Sequence, residues 1–312
     1  MLDARIAPML AYAAPAPFDS ARHLFEIKWD GTRCLLFHKG GDLRLQNRRL
    51  ENITHRYPEL AGLPRQLQAR NAILDGELVV LSDGLPDFSK LQQREQVADP
   101  TKIDLLSQTI PATYVAFDIL WLNGVEVTAQ PLLARKEMLT GILRQTPYLI
   151  ESRFVREQGR AFFQEAVSRG LEGVMAKSLT GPYLIGRRSR LWLKIKPRQE
   201  MVCAVIGFTP GSGARQGTLG ALLVATPEGR GWRYRGRVGS GFRETDLKEL
   251  AARLKGLAMP RAPLAHPPVI RGVQWVSPEL WIRVSFQEET NRGHFRAPVF
   301  ERVAEHDRRL PD

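Results

Sequence analysis

The sequence predicts an α+β domain followed by a smaller β-rich domain, and three observations carry that prediction. Apolar residues alternate with polar ones over short runs through most of the chain, the pattern of half-buried strands. Helical spacing interrupts these runs in only a few places. A polar, proline-containing step near residues 197–201 then separates them from a second set of short strands. A chain of 312 residues is long enough for about two domains, each burying its own core.

Taken in order, the runs 35–37, 43–45 and 73–81 read as strands. Lys39-Gly40-Gly41-Asp42 is a hairpin turn, because paired glycines supply the positive φ that such turns need. Asn123-Gly124 marks another. A helix is expected over 135–144, where Met138, Leu139, Ile142 and Leu143 recur at helical spacing, and a second over 158–169, stopped by Gly170. Pro197-Arg198-Gln199-Glu200 is the expected linker, giving domains 1–199 and 200–312. Beyond it, strands are expected at 201–208, 221–225, 232–238 and 280–286, with a helix over 244–257 and a proline-rich surface connection over 261–268.

The net charge of +12 points to a polyanionic partner, although charge alone does not choose between nucleic acid, an anionic membrane and solubility. No apolar run approaches the roughly 20 residues that span a bilayer, and the amino terminus lacks a charged-then-apolar leader pattern, so a cytoplasmic protein is expected. Cys34 and Cys203 lie far apart without Cys-x-x-Cys spacing and read as packing residues. Neither a Gly-x-x-x-x-Gly-Lys-Ser/Thr loop nor a Gly-x-Gly-x-x-Gly turn occurs, so a nucleotide would have to be held another way.

The run Lys28-Trp29-Asp30-Gly31-Thr32-Arg33 sets a potential amine nucleophile beside a carboxylate and a guanidinium. To attack a phosphorus atom the amine must be neutral, which nearby cations or desolvation promote. In isolation the hexapeptide also reads as a strand ending in an Asp-Gly turn. Downstream come Asn47-Arg48-Arg49, Leu74-Asp75-Gly76-Glu77, Phe117-Asp118-Ile119-Leu120, Glu172-Gly173-Val174-Met175-Ala176-Lys177 and Trp192-Leu193-Lys194-Ile195-Lys196. In this order they resemble the covalent nucleotidyltransferase motifs of ATP-dependent DNA ligases. The likeness is greatest to the ligase module of bacterial non-homologous end-joining ligases of the LigD and LigC type, through 25–33, 186–196 and 237–242, and it covers nearly the whole chain.

The resemblance implies an adenylation domain of antiparallel sheets and helices followed by an OB-fold barrel, with ATP and Mg²⁺ (or Mn²⁺) as cofactors. It makes Lys28 the nucleophile that becomes AMP-lysine, assisted by Lys194 and Lys196. It assigns Glu26, Ile27, Arg33, Arg48, Glu77, Phe117, Glu172, Lys177, Lys194 and Lys196 to the nucleotide, with Phe117 on the adenine, and Glu172 with Asp30 to the metal. Each has a plainer reading. Phe117 sits in an apolar strand and is ordinarily core, Arg48 lies among other arginines on what reads as a solvated face, and Glu77 and Glu172 could simply meet water. Lys194 and Lys196, two apart on a strand, project to one face and would form a cationic wall that Lys177 completes. Arg233, Arg235 and Arg237 alternate on one predicted strand and should share a face suited to DNA phosphates.

Nicked or broken duplex DNA is the implied partner, with a Ku-like end-binder by analogy, and the protein is expected to act as a monomer away from membranes. One departure stands out. The family ends in an Arg-x-Asp-Lys element, which register places at Ala304, Glu305, His306 and Asp307. It is absent there: either Arg302, Arg308 or Arg309 substitutes, with partial substitution by Arg308 or Arg309 expected, or self-adenylation is slow and the protein works mainly on nicks already adenylated. Two other classes remain open: an RNA ligase or capping-type nucleotidyltransferase, and a non-catalytic nick-binding protein.

Overall fold

The computed structural model describes residues 1–304 except 212, 214, 215 and 291. The chain divides into two compact units, Met1–Lys196 and one beginning at Pro197.

Two sheets build the first unit. One has the order Leu10–Ala13, Arg188–Ile195, Val174–Ser178, Ser20–Ile27 and Phe154–Glu157. The other is centred on Thr32–Lys39, Asn71–Ser82 and Ala112–Leu122, with Asp42–Asn47 at one edge. Between the sheets lies a core of Met9, Leu35, Phe37, Phe117, Tyr183 and Trp192, drawn from both. The far face of the second sheet buries Cys34, Leu36, Leu74, Tyr114 and Ala116 under helices and loops. Thr32–Lys39 is thus covered on both faces, which is why it carries a continuous Cys34-Leu35-Leu36-Phe37 run rather than a clean alternation.

The two expected helices form as Leu132–Ile142 and Gly159–Ser168, the latter ended by Gly170 at φ +75°. Two further helices, Phe88–Glu95 and Pro100–Thr109, were not anticipated. Each begins at an aspartate whose side chain accepts from a backbone N–H three residues on, Asp87 from Lys90 (3.0 Å) and Asp99 from Lys102 (2.9 Å). The caps were legible, but an apolar stripe was not. Phe88–Glu95 buries Arg94, whose guanidinium donates to Glu59 (2.6 Å) and to the Ile110 and Arg56 carbonyls (both 2.7 Å), so a polar side chain fills a core position.

In the second unit the long strand Gln199–Pro210 pairs along one edge with Leu219–Glu228. Its other edge pairs with Trp281–Phe286 along the first half and with Gln274–Val276 at Gly207 and Phe208. Gly231–Val238 and Val299–Val303 extend the ladder. Helix Glu244–Lys255 places Leu247, Leu250 and Leu254 on the core of Cys203, Val205, Leu222 and Ile282. Both cysteines are buried and free, in keeping with packing roles. Among the described residues no helix is long and apolar enough to cross a membrane.

Candidate active site

Strand Ser20–Ile27 carries Glu26 and Ile27 up to Lys28, which stands just past its end. Across the ladder Glu26 faces Met175 and half-buried Ile27 faces Val174, so the turn at Glu172 and Gly173 lies beside Lys28, and the Lys28 N–H donates to the Gly173 carbonyl (3.0 Å). Gly173 has φ +140°, and a Cβ there would collide with the Ile195 carbonyl. Glycine therefore lets this turn press against the end of Arg188–Ile195. The result is that the Glu172 carboxylate binds two amines at once, one oxygen pairing with Lys28 and the other with Lys196. All three side chains remain partly open, at 20–29% exposure. Asp30 adjoins them: burial and then Glu172 raise its pKa, while Lys28 and Lys196 pull it down.

A second charged group lies deeper. Glu26 is 1% exposed and pairs with two buried lysines, Lys177 (2.7 Å) and Lys136. The Lys177 amine sits 4.2 Å from the Phe117 ring centre and 4.3 Å from that of Trp192. Burial lowers its pKa, with Glu26 opposing. Lys177 thus stands with Glu26 and the aromatics, while Lys196 stands with Lys28. Lys194 lies opposite Met175 in the same ladder. Phe117 packs edge-on to Trp192 in the inter-sheet core, with Arg33 4.8 Å from its ring centre.

Arg33 grips Asp75 through Nε and Nη2 (both 2.5 Å), and the Tyr183 hydroxyl donates to the same carboxylate (2.6 Å). Nη1 makes no hydrogen bond among the described residues and remains a donor for an incoming oxygen. Glu77 is the cross-strand neighbour of Arg33 and is half-buried. Burial pushes its carboxyl up to about 8, against the pull of Arg33 and Lys28. The folded state therefore keeps this proton where the unfolded chain, titrating near 4.5, has lost it. Its contribution to stability is complete below about pH 4.5 and fades as pH climbs to about 8. Glu77→Gln is expected to gain stability relative to wild type between pH 5.5 and pH 9, read from urea unfolding midpoints. Parallel pH profiles for the two proteins would refute the assignment.

Arg48 sits on an exposed turn where the Asn47 side chain accepts from the Arg49 (2.9 Å) and Glu51 (3.0 Å) N–H groups. It lines a cleft of about 400 Å³ with Thr32, Arg49, Glu51 and Arg56.

The three arginines of Gly231–Val238 do not share a face. Tyr234 pairs with Ala225 and Gly236 with Val224, leaving Arg235 in a bulge that reverses the alternation. Arg235 turns in to Thr226 (2.7 Å) and Glu289 (2.8 Å), Arg233 pairs with Glu228 (3.1 Å), and exposed Arg237 has no carboxylate partner among the described residues. A strict period of two fails wherever an extra residue enters a strand, and the sequence does not announce it. Of the arginines expected to substitute for the altered carboxyl-terminal element, Arg302 is described, facing Arg283 across the ladder. Residues 305–309, with Arg308 and Arg309, lie outside the described residues.

Sequence reasoning missed Lys136, Arg135, Asp118 and Tyr183. Asp118 and Arg135 form a bidentate pair (2.7 and 2.9 Å) at 0% exposure. A signal existed: Arg135 and Lys136 occupy the same helical phase as Leu132 and Leu139, and cations on an apolar stripe imply buried carboxylate partners.

Comparison with known proteins identifies the family. The family model of the ATP dependent DNA ligase domain matches residues 8–196, and that of the ATP dependent DNA ligase C terminal region matches 215–307. The multifunctional non-homologous end joining protein LigD of Mycolicibacterium smegmatis is 32% identical over 297 residues, covering 94% of this chain and 37% of the relative. A DNA ligase of Hyperthermus butylicus is 33% identical over 295 residues, covering 88% and 48%. The crystal structure of the ligase domain of M. tuberculosis LigD superposes with a TM-score of 0.57 at 28% identity, over 96% of this chain and 95% of that one. This chain spans less than half the length of the first two relatives. Its architecture is a nucleotidyltransferase domain followed by an OB-fold domain, and with both family models matched in order the chain belongs to the ATP-dependent DNA ligases.

Proposed function

We propose that this chain seals nicks in duplex DNA through a lysyl-AMP intermediate on Lys28. The observation that carries the reading is the bridging of Lys28 and Lys196 by the two oxygens of Glu172. An anionic triphosphate entering here competes with Glu172 for both amines, freeing Lys28 to attack while Lys196 keeps a cation on the phosphate. In the first step the Lys28 nitrogen, giving up a proton, bonds to the α-phosphorus of ATP as the bond to pyrophosphate breaks. In the second, a 5′-phosphate oxygen at the nick displaces the lysine nitrogen from that phosphorus. In the third, the 3′-hydroxyl attacks the 5′-phosphorus and expels AMP, leaving a phosphodiester.

Arg33, through Nη1, and Glu77 are assigned to the ribose and phosphates, and Lys194 to the phosphate side. Glu26, Ile27, Lys177 and Phe117 are assigned to the base end, and Arg48 to a phosphate in its cleft. Asp30 and Glu172 are hard oxygen donors of the kind that hold Mg²⁺ together with substrate phosphates, so the donor set fits that ion or Mn²⁺. Such an ion would neutralise phosphate charge. Arg237 is the second unit's candidate for DNA phosphate.

End joining in DNA repair is the cellular duty proposed, from the likeness to the non-homologous end joining protein LigD, with a Ku-like end-binder as partner and a cytoplasmic monomer as the working form. Co-recovery with such a protein on linear but not circular DNA would support the partnership. Incubation with α-labelled ATP, GTP or NAD, followed by nicked DNA or nicked RNA, tests the activity itself. Label from ATP that is chased into joined DNA is expected. Label from GTP would indicate a capping-type enzyme, joining of RNA alone an RNA ligase, and binding without label a nick-binding protein.

A further inference from the structure

An acid-free, cation-rich strip runs along the edge of the first sheet and continues past the assigned Lys177, Lys194 and Lys196 to three arginines given no role above. Between Glu172 and Glu200 the sequence has seven lysines and arginines and no carboxylate, and the paired segment between Asp3 and Asp19 has none either. The strands Leu10–Ala13 and Arg188–Ile195 bring these two segments together in parallel. Their register is broken: Ala11 pairs with Ser189, but the next residue, Tyr12, pairs with Leu193. Arg190, Leu191 and Trp192 have no counterpart on that edge. This bulge folds Arg190 back toward Tyr12 while Trp192 drops into the core.

Tyr12 is 42% exposed, and the guanidiniums of Arg188 and Arg190 lie over its ring at 5.8 and 5.5 Å. Arg188 also donates to the Ala11 carbonyl. Arg187, beside them, is exposed. None of the three has a carboxylate partner among the described residues. The ring serves as a rest that holds two forks in place by cation–π attraction, leaving their N–H edges for an outside acceptor. With guanidiniums over it, the ring is a poor stacking platform for a base. Tyr12 faces Leu193, one residue from Lys194 and three from Lys196, so the patch lies roughly 10 Å along the strand from the cationic side of the site.

We propose that Tyr12, Arg187, Arg188 and Arg190 form a docking surface for the sugar-phosphate backbone of the duplex flanking the nick. The inference rests on the ligase reading, and its test is arranged so that the two can fail separately. Arg187→Ala/Arg190→Ala removes two forks without touching the Ala11 contact. Binding of a nicked duplex lacking a 3′-hydroxyl is expected to weaken about tenfold at ~0.1 M salt, with the slope of log affinity against log salt reduced by about 2. Tyr12→Ala is expected to weaken binding in the same direction, and Tyr12→Phe to retain it. Lysyl-AMP formation from ATP without DNA is expected to stay at the wild-type rate in all of them. Unchanged duplex affinity and salt slope in the double variant would overturn the proposal, as would a loss confined to single-stranded DNA or a parallel loss of lysyl-AMP formation. Absence of lysyl-AMP in the wild-type protein would instead sink the ligase reading.

Discussion

Lys28→Ala is expected to abolish transfer of labelled AMP to the protein and to cut joining of an ordinary nick by at least ~10³-fold. Truncation removes one of the two amines on Glu172 but leaves Lys196 in place, so the carboxylate keeps a partner and the fold has no new buried charge to accommodate. A nick supplied already adenylated should still be joined measurably by the variant, because the covalent task of the amine is complete before the 3′-hydroxyl attacks. Loss of label with retention of that last step separates a nucleophile from a merely structural lysine. Undiminished labelling would mean that AMP is carried elsewhere.

The largest stability effect should come from Arg135→Met. Arg135 and Asp118 are both fully buried, and Arg135 also donates to the carbonyl of Gly181 (3.0 Å), tying helix Leu132–Ile142 to strand Ala112–Leu122 and to the segment leading to Tyr183. Methionine fills much of the volume but strands the Asp118 carboxylate away from water. Breaking such a pair from one side costs about 3–5 kcal/mol, and for a domain of this size lowers the midpoint of thermal unfolding by roughly 10 °C. Circular dichroism melts at low and high salt would read it, and the loss should be nearly independent of salt because the pair is shielded from counter-ions. A melt within 2 °C of wild type, as an order-of-magnitude bound, would show that the surroundings absorb the charge.

The distance between what was and was not legible follows from the range of the forces involved. Helix 135–144 was readable because its apolar residues repeat within one element, and the observed helix differs only at its ends. Helices Phe88–Glu95 and Pro100–Thr109 were overlooked because a buried arginine replaces the expected apolar stripe in one and only Ile103 is buried in the other. The arginines of Gly231–Val238 were assigned one face by parity, and one bulge undid it. Lys177 was placed with Lys194 and Lys196 by the same parity, and here the unbroken ladder does put it on their face, though its amine lies over two aromatic rings against Glu26.

By itself, the order of short motifs determined the family and nominated Lys28 as its nucleophile, since Lys28 and its neighbours in sequence carry that information whatever the rest of the chain does. The tertiary structure alone decided which charges meet. Glu172 reaches Lys28 across 144 residues of chain and Glu26 reaches Lys177 across 151. Such pairings depend on ladder register and on glycine-permitted close approach, and a buried ion takes whichever opposite charge the packing brings within reach. Local sequence sets the supply of charged groups, and only the assembled sheets set their partners.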